Sequence, residues 1–319
     1  MQPDVDKVRE RLIQVLTHDK LLTRVFPFTG DLERAKLSRA RLLIKNAKDN
    51  NANLTQAIEA AVGIEMVHLA TLIHDDVIDD SDLRRNEQSF RAIKGDKGAV
   101  LYGDYLFSSA VQHIQRTQNH ECTGVFVDCI SNTCRGEAIQ DLLLTSPEYT
   151  PCLEDILDVA RSKTGALFSF CTEGPAWMGN NVSGSLKQAL KEIGYLLGLA
   201  YQLADDVLDI CGAEENLGKP AGNDLQKDCI TTPLFLFMQE LEMDWLAFRA
   251  HYSSAENDIK SDFMESESFI EIKLQIKTIK DRLNDNMDIC EKEHWKINDV
   301  VHYFWSSYVE NRIKLLKDG

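Results

Sequence analysis

The clearest helical periodicity of the sequence lies in the stretch QAIEAAVGIEMVHLATLIHDDVID, residues 56–79. Its apolar residues recur every three or four positions, which is the spacing of an α-helix. The stretch ends in the pattern DDxxD, formed by Asp75, Asp76 and Asp79. Residues four apart lie on one helix face, so Asp75 and Asp79 are expected to point the same way. Like charges at this spacing destabilise a bare helix, and we therefore expect a compensating cation.

A second stretch, residues 186–211, repeats this arrangement. It is more apolar and predicts a helix that is buried on most sides. It carries DDxxD again, at Asp205, Asp206 and Asp209. Carboxylate oxygens are the ligands that Mg²⁺ prefers, and this ion also bridges to phosphates. We expect the two motifs to face each other across a cavity and to hold several Mg²⁺ ions between them.

The remainder of the chain also has the pattern of a helical protein. Only seven prolines occur among 319 residues, and residues 28–146 and 234–319 contain none. Because proline interrupts helices, such stretches favour long helices. We predict one all-α domain over residues 1–319, a single large helical bundle around a central apolar cavity. Gly, Pro, Asn and Ser predict breaks between helices at 115–121, 145–152, 178–185, 212–224 and 252–260.

The composition limits the classes of function. The chain has 51 acidic and 35 basic residues and a formal net charge of -16, which argues against binding nucleic acid or an anionic membrane surface. We find no apolar run near the roughly 18 residues of a spanning helix and expect no transmembrane segment. There is no signal-like N-terminal region, and the eight cysteines form no CxxC pair. We therefore expect a cytoplasmic protein with reduced thiols.

Basic residues near the motifs point to an anionic substrate. Arg84 and Arg85 follow the first motif, and arginine grips phosphate oxygens through two hydrogen bonds. The segment LGKPAGNDLQKD, residues 217–228, follows the second motif, and its Gly and Pro predict a loop. Lys219 and Lys227 in this loop are candidates to close over an anion. An ordinary connection between helices remains the alternative for the segment.

Together these pieces resemble the trans-isoprenyl diphosphate synthases of the polyprenyl synthetase family. The resemblance follows the family's order over about half the chain. It is carried by EMVHLATLIHDDVIDDSDLRR (65–85), AVLYGDYLFSSA (99–110), GEAIQ (136–140), SKTGALF (162–168), YQLADDVLD (201–209) and GKPAGNDLQKDCITTPLFL (218–236).

The resemblance implies a Mg²⁺-dependent, head-to-tail (1'-4) condensation of isopentenyl diphosphate with an allylic diphosphate. The allylic substrate would be dimethylallyl, geranyl or farnesyl diphosphate, and the products an all-trans polyprenyl diphosphate and diphosphate. Ionisation of the allylic diphosphate, attack by the double bond of isopentenyl diphosphate and loss of a proton would follow in that order. The resemblance also implies a homodimer.

The resemblance further implies a role for each site residue. Three aspartates would bind Mg²⁺: Asp75, Asp79 and Asp205. Three more would support them: Asp76, Asp206 and Asp209. The allylic diphosphate would contact three cations: Arg84, Lys163 and Lys219. Isopentenyl diphosphate would contact four side chains: Lys36, Arg39, His68 and Arg85. Two polar side chains would line the reacting carbons: Thr164 and Gln202.

The sequence departs from the family in the segment RAKLSRA, residues 34–40, where the family has GGKRLRP. Lys36 and Arg39 occupy matching positions, but both glycines, the first arginine and the proline are absent. The isopentenyl diphosphate site is therefore the least secure part of the resemblance. In addition, Asp228 and Cys229 stand where the family tends to have Gly-Lys.

The length of the product is predicted from the residues one turn before Asp75. These are Ala70 and Thr71, which are small and leave room for a growing chain. We therefore expect a product longer than farnesyl, such as geranylgeranyl or a longer polyprenyl diphosphate. Val67 lies one turn further from the motif, and Phe126 is a candidate for the floor of the tunnel.

Two other functions remain open. A class I terpene cyclase would share the helical fold and the first DDxxD, but its second metal motif would differ from DDVLD at 205–209. A non-catalytic or weakly active subunit of a heteromeric prenyl synthase is favoured slightly by the altered segment 34–40. Two intact aspartate motifs argue against that second alternative.

Overall fold

The computed structural model describes residues 2–25, 35–84, 87–144, 146, 148–179, 182–212, 222–253 and 258–315. Over these ranges the chain is almost entirely helical, which confirms the predicted all-α class. The helices are α1 (Gln2–His18), α2 (Lys20–Val25), α3 (Ser38–Asp49), α4 (Leu54–Ile78), α5 (Phe90–Gln115), α6 (His120–Ala138), α7 (Leu153–Ala160), α8 (Ala166–Trp177), α9 (Gly184–Cys211), α10 (Asn223–Gln226), α11 (Thr232–Glu240), α12 (Trp245–Tyr252), α13 (Ile259–Glu265), α14 (Glu267–Lys292), α15 (Asn298–Phe304) and α16 (Asn311–Leu315).

Short irregular elements complete the described chain. Two strands of two residues, β1 (Leu83–Arg84) and β2 (Glu87–Gln88), pair antiparallel directly after the first acidic motif. Three helices continue into π-helical turns, which the periodicity did not predict: Ile139–Leu143, Arg161–Gly165 and Trp305–Glu310. The five predicted breaks overlap the connections between successive helices, and residues 145, 147, 180–181, 213–221 and 254–257 within them lie outside the described residues.

Helix α4 contains the first predicted helix. Its N-cap is Asn53, whose side chain accepts a hydrogen bond from the backbone N–H of Gln56 (3.2 Å). Between Ala57 and Ile73 buried side chains lie on almost every side of the helix. A helix that is apolar all round belongs to a core rather than to a surface.

By length and composition, α4 is also apolar enough to cross a membrane. The expectation that no stretch approaches this length was therefore wrong. However, 67% of its most apolar window is buried inside the protein. Such burial is typical of a core helix, so length and composition give only weak support for a membrane span.

Helix α9 contains the second predicted helix. The hydroxyl of Ser183 accepts the N–H of Leu186 (3.0 Å) and caps its N-terminus. Further along, a Cβ on Gly198 would lie 2.5 Å from the Cα of Gly165. No side chain fits into that space, so α9 packs at backbone contact against the π-helical turn that contains Gly165.

The chain forms two compact units, each built from separate stretches of sequence. The first, which carries the first motif, consists of Met1–Ile130, Leu167–Gly194 and Ile289–Val300. The second, which carries the second motif, consists of Ser131–Ala166, Tyr195–Asp288 and Val301–Gly319. The expectation of a single domain over 1–319, with a central cavity, stays a prediction.

Candidate active site

The first acidic motif lies where α4 ends. Asp75 is half-buried on the last turn, Asp76 is 3% exposed, and Asp79 is exposed at the C-cap position. The backbone N–H of Asp79 donates to the carbonyl of Asp75 (2.8 Å). The outer aspartates are thus one turn apart, as their spacing predicts.

The expected compensation of Asp75 and Asp79 by Mg²⁺ stays a prediction, but the middle aspartate, Asp76, is paired with a cation of the protein itself, Arg84. Its Nε lies 2.9 and 3.0 Å from the two carboxylate oxygens of Asp76, and its Nη2 donates to the carbonyl of Leu72 (3.2 Å). The Asp76 side chain is only 4% exposed, so this bidentate pair neutralises a carboxylate that water barely reaches. Arg84 is therefore bound by the protein itself, and its contact with a diphosphate stays a prediction.

The end of α4 is also supported by a close packing contact with α5. A Cβ on Gly103 would lie 2.1 Å from Nε2 of His74, the residue that precedes the motif. His74 Nε2 lies 3.2 Å from the carbonyl oxygen of Val100 and 3.7 Å from the carboxylate of Asp104. Because only glycine leaves this space open, Gly103 determines where the His74 side chain sits.

His68 and Thr71 lie on the preceding turns of α4, and both are half-buried. The hydroxyl of Thr71 donates to the backbone carbonyl of His68 (2.8 Å). This hydrogen bond turns the Thr71 hydroxyl back onto its own helix.

The proposed floor of the product tunnel lies deeper along α4. Ala70 and Val67 are fully buried, as is Phe126 on α6. A Cβ on Gly63, one turn before Val67, would lie 3.2 Å from the Phe126 ring. Phe126 therefore packs against α4 one turn below Val67, where a floor is expected. The tunnel itself stays a prediction.

The altered segment places its two predicted cations differently. Lys36 is exposed, whereas Arg39 is half-buried with its guanidinium 5.0 Å from the ring centroid of Phe168. Within the described residues, the buried Nε of Arg39 has no hydrogen-bond partner. A buried donor of this kind is costly unless a ligand or water satisfies it.

In the second motif, Asp205 forms an ion pair with Arg312 of α16. The same guanidinium donates to the hydroxyl of Tyr201 (2.8 Å) and to the carbonyl of Tyr308 (2.7 Å). The Asp205 side chain is 40% exposed. The carboxylate with the predicted metal role is thus paired with an arginine that is more than 100 residues away in sequence.

A chain of hydrogen bonds joins three predicted site residues. The Thr164 hydroxyl donates to Oε1 of Gln202 (2.8 Å), and Nε2 of Gln202 donates to Oδ1 of Asp206 (2.7 Å). Burial, followed by the negative charge of Asp224, raises the pKa of Asp206 well above the ordinary range. The amide of Gln202 is therefore held between a hydroxyl and a buried carboxyl group.

Asp209 fixes the chain that follows the second motif. Its carboxylate accepts the backbone N–H of Asp224 (3.0 Å), and its carbonyl accepts the N–H of Gly222 (2.8 Å). Gly222 has a φ of 71°, a conformation that favours glycine. This aspartate, which is 2% exposed, therefore accepts hydrogen bonds from the backbone of the segment that follows the motif, and its predicted support of a Mg²⁺ ion stays a prediction.

Lys163 lies on the π-helical turn Arg161–Gly165 and forms an ion pair with Glu137 (2.6 Å). A Cβ on Gly136 would lie 2.7 Å from the backbone nitrogen of Lys163. The two helices therefore touch at Gly136, and this contact brings Glu137 within reach of the lysine.

Two predicted contacts, Arg85 and Lys219, lie outside the described residues. The departure at Asp228 has a structural explanation, since its φ of 63° is one that glycine adopts easily. The carboxylate of Asp228 accepts from the indole of Trp245 (2.6 Å) and pairs with Arg249 (2.7 Å). Those contacts hold this aspartate in a conformation that is costly for most residues.

The donor chemistry of both motifs fits a hard divalent cation. Within the described ranges, no three His, Cys, Asp or Glu side chains form a group that holds a metal ion alone. Mg²⁺ usually binds through one or two carboxylates together with substrate phosphates and water. Accessible carboxylates at Asp79 and Asp205 suit an ion that binds together with a diphosphate.

Sequence reasoning missed the residues that hold these side chains in place. Arg312 and Gly103 gave no local signal of their roles. Glu137 lies in the segment GEAIQ (136–140), which belongs to the resemblance, but the resemblance gave this glutamate no role. Glu65 was recognisable, because it is an acidic residue on the apolar face of α4 and is only 7% exposed.

Comparison with known proteins supports the same interpretation. Residues 31–265 match the protein family described as Polyprenyl synthetase. A geranylgeranyl diphosphate synthase from Methanosarcina mazei is 31% identical over 239 residues, which cover 70% of this chain and 72% of that relative. A short chain isoprenyl diphosphate synthase from Methanocaldococcus jannaschii is 32% identical over 196 residues, covering 60% and 59% of the two chains.

The chain spans 59% and 43% of the length of two of the curated relatives that it matches. Among solved structures, a polyprenyl synthase from Caulobacter crescentus, complexed with calcium and isoprenyl diphosphate, superposes with a TM-score of 0.68. The two chains are 25% identical, and the match covers 99% of this chain and 92% of that one.

Proposed function

The chain belongs to the polyprenyl synthetase family, and we propose that it is a prenyltransferase. It would condense isopentenyl diphosphate with an allylic diphosphate and release diphosphate. The observation that carries this proposal is the second motif, where the Thr164–Gln202–Asp206 hydrogen-bond chain lies beside the accessible Asp205. A helical scaffold has no need to hold a buried carboxyl group in such a hydrogen-bond chain next to an exposed one.

We assign the metal role to the two outer carboxylates of the first motif and to the leading carboxylate of the second. Asp75 and Asp79 in one motif and Asp205 in the other would hold divalent cations, with Mg²⁺ as the physiological ion. When bound, such ions neutralise charge that develops on departing diphosphate. The relative solved with calcium and isoprenyl diphosphate supports a divalent cation in this family.

The other residues of the site would position the substrates and stabilise charge. Lys163 and Arg84, which now pair with carboxylates, supply positive charge next to the departing diphosphate. Thr164 and Gln202 hold fixed dipoles near the allylic carbons. The buried apolar face of α4 keeps water away from the allylic cation, which water would otherwise quench. The proton lost after condensation would pass to the released diphosphate.

The test is a condensation assay with labelled isopentenyl diphosphate and farnesyl diphosphate, with Mg²⁺ and with EDTA. Reversed-phase chromatography of the dephosphorylated products would show a Mg²⁺-dependent ladder. If several allylic starters give no elongation with folded protein, the proposal is wrong. That outcome would favour the non-catalytic subunit of a heteromeric synthase, a possibility to which a relative named heptaprenyl diphosphate synthase component 2 lends support.

We propose a product of geranylgeranyl length or longer. Ala70 is small and fully buried, and Phe126 packs two turns below it. Ala70→Phe is expected to shorten the longest product in the same assay, because a ring at this position fills the space for the growing chain. Thr71→Val serves as the control, because valine and threonine are similar in size and the product length should not change. An unchanged product with Ala70→Phe would contradict the tunnel assignment.

Two further proposals rest on the family alone. The protein would be a homodimer, which sedimentation equilibrium tests directly. It would act in the cytoplasm, which fractionation of the producing cell tests.

A further inference from the structure

The segment before α3, which carries Lys36, is held through its backbone carbonyls. Arg9 of α1 donates from Nη2 to the carbonyl of Ala35 (2.9 Å). Arg41, on the first turns of α3, donates from Nε to the carbonyl of Lys36 (2.8 Å). Two arginines therefore fix the two peptide groups on either side of the Lys36 Cα.

The N-terminus of α3 is held by a residue from another helix. Leu37 is the N-cap residue, and its side chain has no atom that can accept a hydrogen bond. Instead, Oε1 of Glu65 on α4 accepts the backbone N–H of Ala40 (2.8 Å), and Glu65 also accepts the N–H of Arg39. A buried glutamate of α4 thus caps α3 from outside.

The backbone at Leu37 needs such support. Its φ and ψ are both 48°, the left-handed conformation, which costs a residue with a Cβ about 1 kcal/mol or more. Its side chain is 3% exposed, so the strained residue is also locked into the core. A strained conformation of this kind persists only where neighbouring contacts determine it.

The cap depends on a residue in which this chain departs from its family. Ala40 stands where the resembling motif has proline, and proline has no N–H to donate. The hydrogen bond from Ala40 to Glu65 is therefore one that the usual motif cannot form. The negative charge of Glu65 also attracts the guanidinium of Arg39.

From these contacts we propose that Glu65, with Arg9 and Arg41, is a positioning residue for isopentenyl diphosphate. It acts by holding Lys36 and Arg39 in the geometry that glycines and a proline set elsewhere in the family. This inference rests on the proposed function, since it assumes that these two cations bind that substrate. The buried Nε of Arg39, unpartnered within the described chain, is the donor that the diphosphate would satisfy.

The experiment compares KM for isopentenyl diphosphate with KM for farnesyl diphosphate in three variants. Glu65→Ala removes both acceptors and is expected to raise KM for isopentenyl diphosphate about ten-fold, with KM for farnesyl diphosphate changed less than about two-fold. Ala40→Pro removes one donor in the first helical turn, where proline is tolerated. It is expected to raise KM for isopentenyl diphosphate about three-fold. Glu65→Gln keeps an acceptor oxygen and is expected to restore near-normal binding.

The matched control is Glu59→Gln, the same substitution on the same helix. Glu59 pairs with His113 (2.6 Å) and not with α3. It is expected to lower stability without changing either KM. This control separates a loss of general stability from a loss of substrate positioning.

Calorimetric titration of isopentenyl diphosphate into the same proteins keeps the inference testable if turnover is absent. If the wild type turns over and Glu65→Ala has the same KM for isopentenyl diphosphate as the wild type, the inference is wrong and the proposed function still stands. Binding without turnover overturns the proposed function, and equal affinities of wild type and Ala40→Pro would then overturn the inference as well. A wild type that does not bind isopentenyl diphosphate overturns the inference directly.

Discussion

The two acidic motifs share one spacing but differ in which aspartate the protein neutralises. In the first, Arg84 binds the middle carboxylate, Asp76, whose side chain is 4% exposed. In the second, Arg312 binds the leading carboxylate, Asp205, whose side chain is 40% exposed. One arginine is therefore part of the fold, and the other occupies a carboxylate that a cation is proposed to use.

This difference has a physical consequence for each ion pair. A buried carboxylate that loses its partner keeps the full cost of an unpaired charge. An exposed carboxylate is solvated by water instead, so its pair contributes little. The same five-residue pattern therefore carries an ion pair that stabilises the fold in the first motif. In the second motif it carries an ion pair that a metal ion can replace.

The largest expected effect comes from removing a predicted metal ligand from each motif in turn. Asp75→Asn and Asp205→Asn should each lower kcat about 100- to 1,000-fold, because each removes a carboxylate that would hold a divalent cation beside the departing diphosphate. Steady-state kinetics at saturating Mg²⁺ measures this. The control is Asp80→Asn, since Asp80 is 86% exposed beside the first motif. Near-normal kcat in either variant would mean that only one motif binds the ions.

The next effect in size separates the two arginines. Arg84→Gln should lower the free energy of unfolding by about 2–3 kcal/mol, because it leaves Asp76 buried without its counter-charge. Arg312→Gln should cost less than about 1 kcal/mol. Arg312→Gln should also tighten the binding of Mn²⁺, because the guanidinium of Arg312 and the metal ion compete for the carboxylate of Asp205.

Urea denaturation measures the two stabilities, and Mn²⁺ binding is followed by electron paramagnetic resonance. Asp76→Asn combined with Arg84→Gln should recover part of the lost stability, since no charge is then left buried. Equal losses of stability in the two arginine variants would remove the distinction between the motifs.

A smaller effect tests how the first motif is supported by packing. Gly103→Ala places a methyl group on His74 and should lower stability by about 1–3 kcal/mol. Gly124→Ala on α6 is the matched control, because no atom lies within 4 Å of its Cβ position. It should be neutral or slightly stabilising. Thermal unfolding compares the two, and a tolerated Gly103→Ala would show that His74 can move.

The smallest effect concerns Glu59 and Glu65 of α4, whose pKa values are shifted in opposite directions. The hydrogen bond from His113 lowers the pKa of Glu59, so its contribution to stability is present above about pH 4.3 and lost on acidification. Burial raises the pKa of Glu65, so its contribution is present below about pH 4.3 and lost as pH rises. In a plot of the free energy of unfolding against pH, Glu59→Gln should flatten the part below about pH 4.3. Glu65→Gln should flatten the part above it. Urea unfolding from about pH 2 to pH 8 covers both windows, and parallel curves for wild type and variants would contradict the assignment.

Much of the fold was predictable because helix periodicity is a local property. The first predicted helix lies within α4 except for Asp79, which is the C-cap residue, and the span 186–211 falls inside α9. The described parts of the predicted breaks overlap helix ends. The π-helical turn at Arg161–Gly165 was not predicted by the periodicity, and its Gly165 lies at backbone contact with Gly198, a residue of another helix. The apolar length of α4 was misjudged, because scattered polar residues hide a stretch that is apolar on average.

Part of the candidate site was predictable as well. The resemblance implied that Thr164 and Gln202 lie at the same reacting carbons, and the structure joins these two by a hydrogen bond. It adds a hydrogen bond from Gln202 to Asp206 that was not predicted, and the roles of all three stay predictions. The residues that hold the site were not predictable, since Glu65 meets Ala40 and Arg312 meets Asp205 only after distant segments fold. Their interactions depend on distance in space, for which sequence spacing is no guide.

The helical class, the two acidic motifs and the family could be predicted from the sequence, because each depends on residue types at short spacing. The burial of each carboxylate, the cation that it binds and the contacts that hold residues 35–40 became known only from the folded structure. Burial and long-range pairing arise when helices pack, and packing sets the local cost of a charge. The same aspartate pattern therefore gives one ion pair that holds the fold and one that a metal ion is free to replace.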